Sequence, residues 1–371
     1  MIKKISLLLS LFTCAILLSA QKIEVGSYVF RDGAVYSGDL FGGKPHGKGR
    51  TIFKNGDIYE GAYYKGKRQG KGQMTYANGE KYDGDWYQDL PHGKGTFYFL
   101  NNNRYEGAWY RNVRKGEGTM YYYDGSVYKG NWEANYRHGA GTYTFKNKAY
   151  YTGSWVKDKK EGQGTFDWHD GSRYEGHWVG NLRQGKGKFF YSNGDFYEGD
   201  WANDVQEGRG TYKYKNGDTY QGDYRKGERT GQGTFTYANG DTYVGQFRGG
   251  EHHGRGTYTW KGVASYEGDW VAGKQTGNGI YKRRNAYEYQ GQWKDNMMNG
   301  EGTLRMEGGD RYKGSFLNNK KHGKGTLVTP DGTRYVGTFE NDLKHGPFLI
   351  YDKSGNLIKK ETYKHGKPVE K

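Results

Sequence analysis

Tyrosine recurs at positions 36, 59, 82, 105, 128, 151, 174, 197, 220, 243, 266, 289, 312 and 335, fourteen times at a constant spacing of 23 with no insertion or deletion. A fixed period of this length means that one supersecondary unit is copied along the chain, and a unit so short cannot bury a core by itself. No inserted domain or linker fits between Tyr36 and Tyr335, so a length of 371 residues does not here imply two or three globular domains.

Counted from each tyrosine, glycine stands two residues on and eleven residues on in all fourteen units, Gly38 through Gly337 and Gly47 through Gly346. A third glycine stands thirteen on in every unit but the last, where Phe348 replaces it. Four residues after the tyrosine comes an aromatic in thirteen units, Leu40 being the exception; Trp86, Trp109, Trp132, Trp155, Trp178, Trp201, Trp270 and Trp293 are among them. Side chains alternate along a strand, so Tyr, Gly and Trp at offsets zero, two and four share one face. In Gly95-Thr96-Phe97-Tyr98-Phe99 the glycine and the two phenylalanines share a face in the same way. Polar segments such as Tyr110 to Lys115 separate the halves, and Asn55-Gly56-Asp57 or Asp124-Gly125-Ser126 separate the units. Asn-Gly and Asp-Gly are the strongest short hairpin signals, which predicts one β-hairpin per unit.

The fold class expected is all-β, with hairpins stacked so that each buries its aromatic face against the next. Gly (64) and Tyr (37) are abundant and aliphatic residues scarce, so the core must be rings packed on glycine backbone. Glycines on the ring face leave room for a ring of the neighbouring unit to lie against bare backbone. At about 4.8 Å per strand, the fourteen units predict a ribbon on the order of 130 Å long.

The N-terminus follows different rules. Lys3 and Lys4 precede an apolar run from Ile5 to Leu18 and then Ser19-Ala20, the pattern of a signal peptide cleaved after Ala20. The run is shorter than the roughly 20 residues of a spanning helix, which disfavours an uncleaved anchor. Cys14 is a poor lipidation site, since Thr13 and Phe12 precede it and the apolar run continues beyond it. Residues 1–20 are therefore assigned to the signal peptide, 21–35 to an N-terminal half-repeat, 36–347 to the array and 348–371 to a divergent C-terminal cap. The expected destination is periplasmic, envelope-associated or extracellular. Cys14 is the only cysteine, so a mature chain has no disulfide, thiolate metal site or cysteine nucleophile. Removing two lysines leaves 55 basic against 41 acidic residues, near +14, which favours anionic partners.

Tyr-Glu-Gly-Ala-Trp at 105–109, Tyr-Glu-Gly-Asp-Trp at 197–201 and 266–270, and His-Gly-Lys-Gly at 92–95 and 322–325 resemble the MORN repeat (membrane occupation and recognition nexus). Gly26 and Asp32-Gly33 resemble the back half of one further unit. Tyr351 to Leu357 and Tyr363 to Lys367 resemble the divergent variant found in bacterial proteins. The resemblance implies an elongated, twisted antiparallel sheet in proteins that act as scaffolds, dimerisation modules or membrane-apposed adaptors. Some members append a kinase or methyltransferase domain; only 36 residues follow Tyr335 here, and they continue the repeat style.

Candidate sites follow the period. Histidines ten after the tyrosine, His46, His92, His138, His253, His322 and His345, are weighed as metal ligands. Equivalent positions lie about 10 Å apart, whereas zinc ligands sit within about 2.1 Å of the metal, so a structural role is expected and no metal or cofactor site is assigned. The Tyr/Trp ladder is either the core or a stacking platform for sugars, bases or a partner helix, and Trp86, Trp109, Trp132, Trp155, Trp178 and Trp201 are its candidate binding residues. Lys or Arg stands nine after the tyrosine at Arg68, Arg114, Arg137, Lys160, Arg183, Arg229, Lys321 and Lys344, with Arg114, Arg137, Lys160 and Arg183 the binding candidates. Stacked in register they line one edge, either to meet an anionic surface or to keep a solvated edge from aggregating. Gly-Lys-Gly runs lack the strand, loop and helix of a phosphate loop, and no nucleophile and base stand together. Acids at offsets one and three recur along the array, and the breaks at Asn101 to Asn103 and Arg283 to Asn285 read as turn variation.

The function expected is an exported, non-catalytic binding or scaffold protein, using the sheet surface for protein partners or self-association. The alternative is a peripheral binder of anionic phospholipid or the envelope surface, and a glycan-processing enzyme is third. Neither a nucleic-acid partner nor a small-molecule cofactor is expected.

Overall fold

The computed structural model describes residues 22–369, and the segment read from the sequence as a signal peptide, with its expected cleavage point, lies outside them. The described residues form 31 β-strands and no helix. They divide between Lys146 and Asn147 into two compact units. In the first, eleven strands from Glu24–Val29 to Tyr136–Thr144 pair antiparallel, each with its sequence neighbours. In the second, twenty strands from Tyr150–Val156 to Lys367–Pro368 do the same. Among the described residues no helix is long and apolar enough to cross a membrane.

One hairpin explains the rest. Lys81–Tyr87 runs into Leu90–Tyr98 through a two-residue turn, Gln88 and Asp89, both at positive φ (48° and 70°). That is the geometry of a turn whose twist matches the strands it joins. In the hairpin Tyr82 faces Phe97, Gly84 faces Gly95 and Trp86 faces Pro91, with a bulge between Gly84 and Trp86. The next strand, Arg104–Tyr110, restores a regular ladder, with Gly93 opposite Trp109.

The three glycines of a unit are required for two different reasons. Gly93 has φ +67°, as Gly47 (+60°) and Gly185 (+67°) do at the same offset, a region that glycine enters at no steric cost and most side chains disfavour. Gly84 and Gly95 serve a ring instead: a Cβ on either would run into the hydroxyl end of Tyr82. The ring that lies on the glycines therefore belongs to the same hairpin, not to the neighbouring one as the sequence suggested. The reason is the bulge, which brings the tyrosine back over its own glycine pair. There its hydroxyl donates to the bulge carbonyl, Tyr82 Oη to Asp85 O at 2.9 Å and Tyr197 Oη to Asp200 O at 3.0 Å.

Contact between hairpins falls to the tryptophans. Trp109 meets Tyr105 of its own hairpin edge-on at 5.3 Å and Tyr82 of the preceding one at 5.4 Å. Its Nε1 donates to Gly95 O of the preceding hairpin at 3.1 Å. Edge-to-face pairs add about 0.5–1.5 kcal/mol each beyond area burial, so a continuous ladder of them replaces an aliphatic core. The residues at offsets fifteen and seventeen form a second file of tilted rings, as in Phe189, Tyr191, Tyr212 and Tyr214.

The ends depart from this plan. Glu24–Val29 pairs with the first array strand, setting Gly26 opposite Gly38 and Tyr28 opposite Tyr36. At the other end Phe348, where every other unit has glycine, is itself buried and lies against Gly337. It takes the slot that the array tyrosines fill, and Tyr335, only half-buried, is covered instead by Lys344, whose Nζ is 3.1 Å from the ring centre. A register slip between Ile350 and Tyr351 then shifts the last strands out of phase.

Candidate binding trough on the polar face

Strand alternation puts offsets one, three, twelve and fourteen on the face opposite the rings. In the second unit this face carries a trough of about 1120 Å³ running from Thr152 and Gln163 to Gln232 and Val244. Gly164, Gly187, Gly199 and Gly210 give it a floor of backbone, and Glu175, Lys186, Glu198 and Arg209 stand along it. A second stretch of about 780 Å³ shares Gln232 and Val244 and continues to Thr303. The side chains are held by cross-strand pairs: Lys186 Nζ to Asp200 at 2.7 Å, Arg209 Nε to Asp223 at 3.4 Å and Arg255 Nε to Asp269 at 3.4 Å. The acids also close the bulges, since Asp200 Oδ2 accepts from the Arg209 backbone N–H at 3.0 Å and Asp223 Oδ2 from that of Gln232 at 3.0 Å. The recurring acids at offset three are thus bulge clasps, which sequence spacing alone did not indicate. The trough residues were not singled out from the sequence either, because offset twelve is merely variable and polar there.

The tryptophans proposed as binding residues lie on the other face and inside it. Trp86, Trp109, Trp132, Trp155, Trp178 and Trp201 are all buried. Of the two readings left open for the ladder, the geometry is that of a core: Trp86, Trp109, Trp132, Trp178 and Trp201 each meet tyrosines of two hairpins, and Trp155 meets Tyr151.

The basic residues at offset nine are not laid out as an exposed charged edge. Arg68 is 17% exposed; its guanidinium lies 4.6 Å from the Trp86 ring centre and donates to Asp89 O at 2.9 Å. Arg183 repeats this with Trp201 at 4.4 Å and Asp204 O at 2.7 Å, and Arg114 with Trp132 at 4.4 Å and Asn135 O at 2.8 Å. Arg137 lies over Tyr128 and Tyr143, and Lys160 over Trp178 at 4.0 Å. The cause is geometric: offset nine faces the ring side, opposite the tryptophan of its own hairpin. A guanidinium there stacks on rings and satisfies a turn carbonyl of the next hairpin.

Burial shifts the titration of this layer. It pushes the Tyr36 hydroxyl up to about 12, with the Asp39 charge adding to it. It lowers the Lys160 ammonium to about 8, opposed by Asp204 and reinforced by Arg183. His252, at offset nine, stacks on Tyr243 with ring centres 3.7 Å apart, and burial followed by the Arg229 charge lowers it to about 4.

The offset-ten histidines stand on the polar side, at the edge by the turn. His46 sits between Phe41 and Tyr64, and His92 between Tyr87 and Tyr110, all at 5.3–5.5 Å. These are packing contacts. Among the described residues one group of ligand-type side chains does converge, Glu340, His345 and His365. Spacing arguments missed it because His365 lies outside the phase.

Comparison with known families agrees with the hairpin anatomy. Fourteen successive matches to the MORN repeat run from 36–58 to 335–347. The chain belongs to the MORN repeat family. Besides the last, two MORN matches stop short, at 262 and 285, where the structure replaces the usual turn. There the strands extend to Trp260 and Arg283 and close through Val263 N to Trp260 O and Ala286 N to Arg283 O, at 3.0 and 3.2 Å. The break at Asn101 to Asn103 keeps the common turn, with Asn102 at φ +61° in the place of glycine. No curated protein matches the sequence. Among solved structures, the wild-type TCP10 domain of Danio rerio CPAP is 14% identical, over 53% of this MORN chain and 93% of that one, with a TM-score of 0.32. The TCP domain of Drosophila melanogaster SAS-4, in complex with a proline-rich motif of Ana2, is 13% identical, over 48% and 90%, with a TM-score of 0.29. Selenomethionine-substituted virginiamycin B lyase from Staphylococcus aureus is 10% identical, over 79% and 94%, with a TM-score of 0.12.

Proposed function

We propose that this chain is an exported, non-catalytic binding protein that engages an extended segment of a protein partner along the trough of its second unit. The observation that carries the reading is the trough of about 1120 Å³, floored by paired glycines and lined by hydrogen-bonding and charged side chains. The missing side chains of these glycines lie on the ring side, so the trough is the groove between rows of polar side chains at the alternate positions, and walls of mixed sign favour a polar segment. The aromatic face is spent on holding hairpins together, which directs a binding function to the polar face. Export to the periplasm, envelope or exterior follows from Lys3 to Ala20 and is part of the same proposal.

The test is capture from envelope extract by the mature chain and by a Lys186→Glu, Arg209→Glu variant, with bound proteins identified by mass spectrometry. Both side chains are highly exposed, 77% and 84%, and circular dichroism checks that the variant is folded before recoveries are compared. The wild type is expected to retain a partner whose affinity falls at least tenfold in the variant. Equal recovery by both chains rejects the trough. Co-sedimentation with anionic vesicles across a salt series addresses the phospholipid alternative: binding that vanishes with salt supports it, and no binding rejects it.

A further inference from the structure

At offset ten the array uses histidine as a spacer between two side chains of offset five, and in the first unit those flanks are aromatic: Phe41 and Tyr64 around His46, Tyr87 and Tyr110 around His92. In the last full hairpin the flanks change. On one side of His345 stands Glu340, with Oε2 3.4 Å from His345 Nδ1. On the other stands His365, brought to a ring-centre distance of 5.5 Å by the shifted strand Leu357–Lys364 and the turn after it. His345 Nδ1 is buried without a hydrogen-bond partner, as are the Nδ1 atoms of His46, His92 and His322, and at His345 a carboxylate, Glu340, stands close to it. One ligand atom from each of the three residues lies within 4.8 Å of the others.

We propose that Glu340, His345 and His365 bind a divalent ion of the zinc class. Two imidazoles and one carboxylate are a donor set that this borderline ion takes, whereas calcium and magnesium require sets made of oxygen. Bonds of about 2.0–2.2 Å in a tetrahedral site put ligand atoms ~3.3 Å apart, so the trio must close by up to about 1.5 Å. Glu340 and His365 are exposed and free to rotate inward, while His345 is held in the sheet. Three protein ligands leave a fourth position for water or for a donor from another molecule. The period does not generate this site: it exists because Phe348 and the slip at Ile350 and Tyr351 end the regular array and carry a second histidine to the edge.

The experiment is calorimetric titration of the tag-free mature chain with zinc chloride, together with the Glu340→Gln and His365→Asn variants. Asparagine tolerates the positive φ of His365 (47°), so this variant is not strained. The wild type is expected to bind one ion that calcium and magnesium do not displace, and each variant to bind at least tenfold more weakly. His253→Asn, at offset ten within the array, is expected to bind as the wild type does. A cobalt-loaded wild type is expected to show the intense visible absorption of a tetrahedral ion, lost in His365→Asn. Unchanged zinc stoichiometry and affinity in both site variants, or no zinc binding by the wild type at millimolar concentration, overturns the proposal.

Discussion

At the scale of single residues, glycine does two separate jobs, and substitutions distinguish them. Gly187→Ala puts a Cβ into the ring of Tyr174. Tyr174 is fully buried and cannot withdraw, so the expected loss is about 3 kcal/mol or more, read from the urea midpoint. His252 shows the same layer through its titration. Its folded value of about 4 lies below the ordinary 6.5, so the stability it lends is present above pH 6.5 and is lost as pH falls toward 4. The expected loss between pH 7 and pH 5 is about 1 kcal/mol after allowance for partial screening, and His252→Phe is expected to remove that share of the acid sensitivity. An unchanged pH profile in the variant would place the acid sensitivity elsewhere.

At the scale of the element, the hairpin is a bulged pair whose loose groups are closed by residues of the period. The tyrosine hydroxyl takes the bulge carbonyl, the acid at offset three takes the amide of offset twelve, and the arginine at offset nine takes a turn carbonyl of the next hairpin. Asp200→Ala removes an amide clasp and an ion pair, and is expected to cost about 1 kcal/mol and to speed hydrogen exchange at Arg209. Lys160 holds an arginine position with a shorter head that burial disfavours. Lys160→Arg is expected to gain about 1 kcal/mol by stacking on Trp178 and reaching the turn carbonyl of Asn181, as Arg183 does at Asp204. A lower melting temperature for the arginine variant would contradict this account of offset nine.

At the scale of the whole molecule, strands within each unit pair with their sequence neighbours, so the stability of a unit is close to a sum of hairpin and interface contributions. Deleting residues 220–242 removes one period within the second unit and is expected to leave a folded chain with a melting temperature within a few degrees of the original. Deleting 220–241 leaves an extra residue, turns every following side chain to the opposite face and is expected to unfold the unit. Circular dichroism and hydrogen exchange separate the two outcomes. This sensitivity to register is also why the period of 23 is unbroken from Tyr36 to Tyr335.

The sequence by itself determined the hairpins, their turns and the face each aromatic shares, because alternation and turn chemistry are local and the repeat states them fourteen times. Tertiary structure decided what single-strand patterns cannot express. The bulge returns each tyrosine to its own glycines, so the ring on Gly84 and Gly95 is Tyr82. The ladder encloses the tryptophans and draws Arg68, Arg114 and Arg183 onto them, removing these residues from the surface on which their charge had placed them. With one face closed in this way, the opposite face carries the trough, and the phase slip after Ile350 joins Glu340, His345 and His365 across strands.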